Sequence, residues 1–342
     1  IGTAIEKVKE RLGKERLKTA DLFSGSGIVA RFLKQYSEKL TVNDLETYTE
    51  VINRCYLANK RELDITYLTE VYQRIEHVLK NGPLSDGIIS TLYAPSDDTN
   101  IQPGERVFYT KRNARFLDTA RQIIETLPPE ISPYFLAPLL SEASIHANTS
   151  GVFKGYYKNR ETGIGHFGGK NGDALKRIKG DIELPFPVFS NFESQVTIFC
   201  EDVNTLLPRL GTFDLVYLDP PYNQHPYGSN YFMLNLLVEY KEPKDISRVS
   251  GIPSNWNRSL YNNRSEALAA FTALIENIHA AYILISFNSE GFIDKDTMIE
   301  MLERIGDVEV METRYNTFRG SRNLRERDIY VKEYLFLVEK KR

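Results

Sequence analysis

The sequence predicts an α/β fold, a doubly wound sheet finished by an antiparallel hairpin, and three observations carry that prediction. Five short runs, KTADLF (18–23), LTVND (40–44), QVTIFCED (195–202), FDLVYLD (213–219) and AYILISFN (281–288), are apolar almost without interruption. Continuous rather than alternating apolar residues suit strands of a parallel sheet covered on both faces. Helical patterns such as IVARFLKQYSEKL and SEALAAFTALIENIHAA lie between them, and strand–helix–strand alternation winds a sheet on both sides. The chain then closes with VEVMETRYNTF and DIYVKEYLFLVEK, two long strand patterns separated by the polar RGSRNLRER, which read as a terminal hairpin.

Residues 60–190 break this rhythm. Helical patterns (TYLTEVYQRIEHVLK, NARFLDTARQIIETL) precede the glycine-, lysine- and tyrosine-rich stretch TSGVFKGYYKNRETGIGHFGGKNGDALKRIKG. An irregular segment of that length points to function or disorder. The predicted division is therefore a sheet domain made of 1–60 and 190–342, with 61–189 inserted into it.

At 342 residues the chain is long enough for one α/β domain carrying such an insertion. With 26% charged residues and a net charge of −3 it is not uniformly basic, which leaves room for one basic face. Two cysteines, Cys55 and Cys200, without CxxC spacing give no disulfide framework and no cysteine metal site. The five histidines show no ligand spacing either, so no metal is implied. No apolar run approaches the roughly 20 residues that cross a bilayer, and no leader pattern opens the chain. These features predict a cytoplasmic protein without a membrane partner.

DLFSGSG (21–27) follows a predicted strand and opens a predicted helix. Gly25 and Gly27 permit a tight turn and close backbone approach to a ligand. Asp44, in NDLE at the end of the next strand, can accept hydrogen bonds from ribose hydroxyls at the carboxyl edge of the sheet. A dinucleotide or S-adenosylmethionine would satisfy both. Position 30 is Ala, so the fuller G-x-G-x-x-G is absent, and there is no phosphate-binding lysine motif. That balance favours S-adenosylmethionine.

DPPY (219–222) ends a buried strand with an acid. Two prolines fix an extended segment and remove two N–H donors, leaving carbonyl acceptors on display. Tyr222 adds a flat ring. An Asp219 carboxylate and a Pro220 carbonyl can each accept one hydrogen of an amino group while the ring stacks on its heterocycle. That geometry presents the nitrogen lone pair to an electrophile.

DPPY together with upstream DLFSGSG resembles the alpha group of DNA amino-methyltransferases, the Dam-like adenine-N6 enzymes, in which a target-recognition insertion lies between the two motifs. NDLE, CEDVNTLL, ISFNSEG and YNTFRGSRN ahead of EYLFLVEK match further blocks of that family. NxxxYGSNY and HFGGKNGDALKRI resemble a subgroup attached to type II and type IIS restriction systems. Where that subgroup carries Arg-Gln after the motif, this chain has His225-Pro226, and Phe232 follows Ser229-Asn230-Tyr231. The resemblance implies a Rossmann-like methyltransferase sheet of seven mixed strands and S-adenosyl-L-methionine as cofactor. Asp219, Pro220, Pro221 and Tyr222 are the implied catalytic residues. Asp21, Phe23, Ser24, Gly25, Gly27, Asp44, Leu45, Asp202, Val203 and Asp219 are the implied cofactor residues.

The implied activity is site-specific methylation of adenine N6 in double-stranded DNA by a monomer, beside a cognate restriction endonuclease or a second methylase. Reaching that nitrogen requires turning the base out of the helix. Lys154, Tyr156, Tyr157, Lys158, Arg160, Lys170 and Arg177 supply charge and rings suited to phosphates and bases. Asn223, Tyr227, Asn230 and Tyr231 are expected to border the base, and Arg319 and Arg322 to join from the hairpin loop. The rival readings are transfer to the exocyclic amine of cytosine, transfer to RNA adenine, and a catalytically dead DNA-binding regulator. A cytosine ring-carbon enzyme needs a Pro-Cys nucleophile that is absent.

Overall fold

The computed structural model describes residues 1–169, 172, 174–316 and 330–341, without the side chains of 314–316, 330 and 331. Seven strands form one sheet: β1 (Leu17–Asp21), β2 (Ser37–Asp44), β3 (Gln195–Cys200), β4 (Phe213–Leu218), β5 (Ala280–Asn288), β6 (Gly306–Asn316) and β7 (Tyr330–Lys340). Their order is β3-β2-β1-β4-β5-β7-β6. The first five run parallel, while β7 runs antiparallel to both β5 and β6.

The parallel strands follow from their residues. Leu215–Leu218 of β4 and Tyr282–Ile285 of β5 are buried at every position, so each strand feeds both faces. One face packs Val216, Leu218, Ile283, Ile285 and Phe336 against helix residues such as Phe271 and Leu274. The other packs Leu17, Leu215, Leu284 and Leu337 against Ile5, Val8 and Leu33. Removing one such leucine side chain costs about 2–5 kcal/mol.

The chain leaves β1 toward β2 on one side, and β4 later pairs with β1 on the other. The carboxyl ends of β1 and β4 therefore flank a topological switch, where open α/β sheets bind ligands. Two local outcomes differ from the sequence pattern. The helix after the glycine turn spans only Ile28–Lys34, because β2 begins at Ser37, which pairs with Leu17 of β1. A helix Gly2–Leu12, which the strand-centred reading does not anticipate, precedes β1 and ends where Gly13 takes φ 61°.

The chain forms two compact units, one of 1–61, 189–226 and 258–342 holding the sheet, the other of 62–188 and 227–257. The second unit is helical. Its helix Ile65–Asn81 buries Leu68, Val71, Ile75 and Leu79 along one stripe. Segment 227–257, which the sequence reading leaves with the sheet, belongs to this unit for identifiable reasons. Buried Arg121 donates to the carbonyls of Leu237 (2.7 Å) and Val238 (3.0 Å), at the end of the helix Phe232–Glu239. Tyr240 donates to Asp118, whose carboxylate also accepts from the N–H groups of Ile89 and Ser90. Phe232 packs against Tyr93, Phe108 and Phe153.

Candidate active site

The glycine turn is built by φ of 50° at Gly25 and 72° at Gly27, both in the left-handed region that side chains resist. Asp44 braces it from the end of β2. One of its carboxylate oxygens accepts from the Gly25 N–H at 2.8 Å and the other from the Glu46 N–H at 3.0 Å. Two buried asparagines complete the brace, and the sequence reading missed both. Asn43 accepts from the Ser24 N–H through its carbonyl, and its side-chain amide donates to the carbonyls of Leu22 (3.3 Å) and Glu201 (3.1 Å). It thus ties the ends of three neighbouring strands. Asn53 donates to the Ser24 hydroxyl at 2.8 Å, and its amide oxygen lies against the Gly27 α-carbon. Asn43 stands beside Asp44 in NDLE and could have been found there; nothing in the helical pattern marks Asn53.

Asp21, which ends β1, is fully buried, and neither of its carboxylate oxygens has a hydrogen-bond partner. The N–H groups of Phe23 and Ala30 lie toward it without reaching bonding geometry. Burial, and then the nearby Asp219 and Asp44 carboxylates, push its acid well above the usual range. Asp44 is raised mainly by burial, against the pull of its backbone donors. Among the described residues no ion pair neutralises Asp21, Asp44 or Asp219. Buried carboxyl groups that no described cation offsets fit a ligand that brings positive charge with it, since such a charge would favour their ionised forms. S-adenosylmethionine carries a sulfonium and an ammonium beside a single carboxylate, for a net charge of one positive.

On the side of β3, Asp202 caps the helix Val203–Leu206 by accepting from the Thr205 N–H at 3.1 Å, and Val203 is buried. Tyr261 donates to the Asn204 side chain at 2.7 Å and meets Phe23 edge-on at 5.1 Å. Phe23, Tyr261 and Asp202 thus belong to one neighbourhood at the carboxyl edge, although Tyr261 carries no sequence signal beyond its ring. Leu45 offers its carbonyl to the Cys200 thiol.

Asp219 follows β4. No described residue donates to its carboxylate or to the carbonyl of the buried Pro220, which leaves two acceptors on adjacent residues without a donor among the described residues. Asp219 is open to solvent yet surrounded by much protein. Burial, with the Glu333 carboxylate second, pushes its acid up to about 7, while solvent access works against that rise. Tyr222 is held at its backbone by the Phe292 N–H (2.8 Å) and lies edge-on to Phe287 at 5.8 Å. Pro221, Tyr222, Tyr261, Phe271 and Phe287 line a small apolar hollow behind the motif. The Asn262 side chain donates to the Asn223 carbonyl at 2.7 Å, fixing the exit from DPPY.

In the second unit, residues 157–166 form a short hairpin with a bridge between Lys158 and Gly165, and Arg160 is exposed at its tip. Lys154 is exposed as well. Lys158 lies over the Tyr156 ring and donates to the Val249 carbonyl at 3.0 Å, while Tyr157 stacks on His166. Tyr227 and Tyr231 stack at 5.8 Å, with Tyr227 facing solvent. Asn230 is buried, its amide oxygen unpaired. Arg177 departs from expectation. Its guanidinium donates to the carbonyls of Ile145, Ala147 and Thr149, capping the helix Ser132–Ile145 of its own chain instead of reaching outward. Lys170, Arg319 and Arg322 lie outside the described residues.

A seven-stranded mixed sheet in this order, with a glycine turn after β1, an acid after β2 and Asp-Pro-Pro-Tyr after β4, defines a Rossmann-like methyltransferase. Residues 3–301 match the D12 class N6 adenine-specific DNA methyltransferase family, and the chain belongs to that family. It is 30% identical over 330 residues to the type II methyltransferase M.NlaIII of Neisseria lactamica, covering 94% of this chain and 90% of that protein. It is 29% identical over 343 residues to M.CviAII of Paramecium bursaria Chlorella virus 1, covering 97% and 93%. M.FokI of Planomicrobium okeanokoites is 25% identical over 345 residues, which is 98% of this chain and 50% of that protein. Family membership makes adenine N6 of DNA the target and S-adenosyl-L-methionine the methyl donor, setting aside the cytosine and RNA readings. Among the described residues no helix is long and apolar enough to cross a membrane.

Proposed function

We propose that the sheet unit methylates an adenine turned out of duplex DNA, as the site-specific modification activity of a type II restriction-modification system, and that the second unit recognises the target. The observation that carries the residue assignment is the pair of open acceptors, the Asp219 carboxylate and the Pro220 carbonyl, on a segment whose prolines offer no competing donor. S-adenosylmethionine, when bound, supplies the electrophilic methyl group. The remaining requirements fall on side chains of this protein.

Asp219 and Pro220 each accept one N6 hydrogen, which pyramidalises the amino group and turns its lone pair toward the methyl carbon. Pro221 keeps the segment extended. Tyr222 holds the base plane by stacking. As nitrogen gains the methyl it loses one proton to solvent. Asp44 accepts from ribose hydroxyls with lone pairs its backbone donors leave free. Asp21 balances cationic charge from below the turn, Asp202 faces the adenine amine of the cofactor, and Phe23, Ser24, Leu45 and Val203 complete the walls. In the second unit, Lys154, Tyr156, Tyr157, Lys158 and Arg160 face the DNA, and Tyr227 and Tyr231 offer a stacked aromatic surface beside Asn230. Asn223 borders the target base in the sheet unit.

The test is methyl transfer from labelled S-adenosylmethionine to unmethylated DNA by the wild type and Asp219→Ala, with cofactor affinity measured in parallel. The variant is expected to lose transfer by at least about 100-fold while still binding cofactor. Transfer at the wild-type rate would remove Asp219 from the mechanism.

A further inference from the structure

We propose that the turn at 259–263 is a positioning element of the methyl-transfer site, holding the amino-accepting segment at a fixed distance from the cofactor pocket, and that Asn262 is the residue through which it acts; this rests on the roles given to Asp219, Pro220 and the cofactor residues above. Every residue concerned belongs to the sheet unit. The segment 219–221 spans two anchors. Behind it, β4 is paired with β5 up to Leu218. Ahead of it, two successive carbonyls are tied down. That of Tyr222 accepts from the Phe292 N–H at 2.8 Å, and that of Asn223 accepts from the Asn262 side-chain amide at 2.7 Å. The two prolines between the anchors have no N–H of their own, so the place of the Asp219 and Pro220 oxygens is set from the two ends. One of those ties is made by a side chain, and a side chain can be changed without touching the backbone.

Asn262 is itself held in place. The Tyr261 N–H donates to the Ser259 hydroxyl at 3.3 Å and the Asn262 N–H to the Ser259 carbonyl at 3.1 Å, which closes the turn. Tyr261 is buried, and its ring meets Phe23 at 5.1 Å and Phe271 at 6.5 Å, both edge-on. Its hydroxyl donates to the Asn204 side-chain oxygen at 2.7 Å, while the Asn204 amide nitrogen donates to the Ala270 carbonyl at 3.0 Å. Asn204 lies in the short helix that Asp202 caps. Adjacent residues of one turn thus touch both halves of the site: Tyr261 meets Phe23 and the Asp202 helix on the cofactor side, and Asn262 holds the carbonyl that follows DPPY. Arg264, just beyond, lies over the Phe292 ring at 5.6 Å, beside the second tie on the motif. Transfer needs the reacting atoms about 3–3.5 Å apart and in line, and a misplacement of about 1 Å can cost on the order of 100-fold. An element bonded to both pockets sets that distance.

Asn262→Ala removes the donor, and Asn262→Asp removes it while keeping the volume, at about pH 8 where the new carboxyl has no proton to give. Single-turnover transfer from labelled S-adenosylmethionine to unmethylated DNA, both saturating, is expected to fall about tenfold in each variant. The dissociation constants for cofactor, by calorimetry, and for DNA, by fluorescence anisotropy, are expected to stay at the wild-type values, which also reports that the variants are folded. A loss of packing alone would spare the Asp variant. Tyr261→Phe removes the hydroxyl that anchors the turn and keeps the ring. If the turn acts as one element, its loss and that of Asn262→Ala do not multiply, and the double variant should stay at least about threefold above the product. Wild-type transfer in Asn262→Ala or Asn262→Asp, a loss matched by weaker binding of cofactor or DNA, or losses that multiply in the double variant overturns the proposal. If Asp219→Ala still transfers methyl groups at the wild-type rate, the underlying assignment fails. If Asp219→Ala is dead and Asn262→Ala is unimpaired, only the turn is removed.

Discussion

Adding one methyl group at either glycine of the turn separates what the fold needs there from what a ligand needs. At Gly27 a Cβ would lie 2.5 Å from the Asn53 amide oxygen, and φ is 72°. The left-handed conformation costs a side chain about 1–2 kcal/mol, and forcing a buried, hydrogen-bonded asparagine aside adds about 1–3 kcal/mol. Gly27→Ala should therefore destabilise the protein by about 2–5 kcal/mol. At Gly25, φ is 50° and nothing lies within 4 Å of the added carbon, so Gly25→Ala should cost the fold only about 1–2 kcal/mol. The open space at Gly25 is where the cofactor is expected to approach the backbone. Gly25→Ala should accordingly weaken S-adenosylmethionine binding at least about tenfold, roughly 1.4 kcal/mol, out of proportion to its effect on folding. Thermal melts of the free protein and titration calorimetry with cofactor measure the two quantities. An unchanged cofactor affinity in Gly25→Ala, with the melt lowered as expected, would refute the placement of the ligand against this turn.

The pH profile of the wild type should fall away on its acid side as Asp219 gains a proton near 7, since a neutral carboxyl is a weaker acceptor for the N6 hydrogen than a carboxylate; a kcat/KM flat down to about pH 5 would contradict this. Asp21 is a weaker acid in the folded chain than in the unfolded one. Its contribution to stability is therefore full at low pH and is lost as pH rises above about 4, the unfolded value. Asp21→Asn should make the cofactor-free protein melt higher at pH 8 while weakening S-adenosylmethionine binding, and a melt that is lower at pH 8 would count against a charged Asp21. Arg121→Ala should leave the carbonyls of Leu237 and Val238 unpaired, at about 1–3 kcal/mol each. Equilibrium binding should then show a larger loss for DNA than for cofactor; equal losses would contradict the assignment of recognition to the second unit.

The strands were legible because a two-sided buried strand has no polar face to hide it: FDLVYLD and AYILISFN could hardly be anything else. The two motifs were legible because each combines residues whose backbone limits are extreme, glycine at positive φ and proline without a donor. What stayed out of sight depends on pairing across long sequence distances. Asn53 is an unremarkable polar residue in a helix until the fold brings it under Ser24, and Asn43 ties strand ends that lie more than 150 residues apart in the chain. Arg177 has partners the sequence does not show, for the complementary reason. A cation in a basic, glycine-rich stretch suggests phosphate, but the helix end at Ile145 presents carbonyls that claim it first.

The chain enters the second unit twice, at 62 and again at 227, directly behind the catalytic motif. The second unit is consequently not a cassette on a single pair of hinges. A chimera that exchanges 62–188 alone would keep Leu237, Val238 and Tyr240 while discarding Arg121 and Asp118, their partners. On the proposed division of labour, a new specificity grafted onto this framework travels as two segments, and the second is spliced five residues after Tyr222. On that division, an exchange of target by recombination would carry the exit from DPPY along with it.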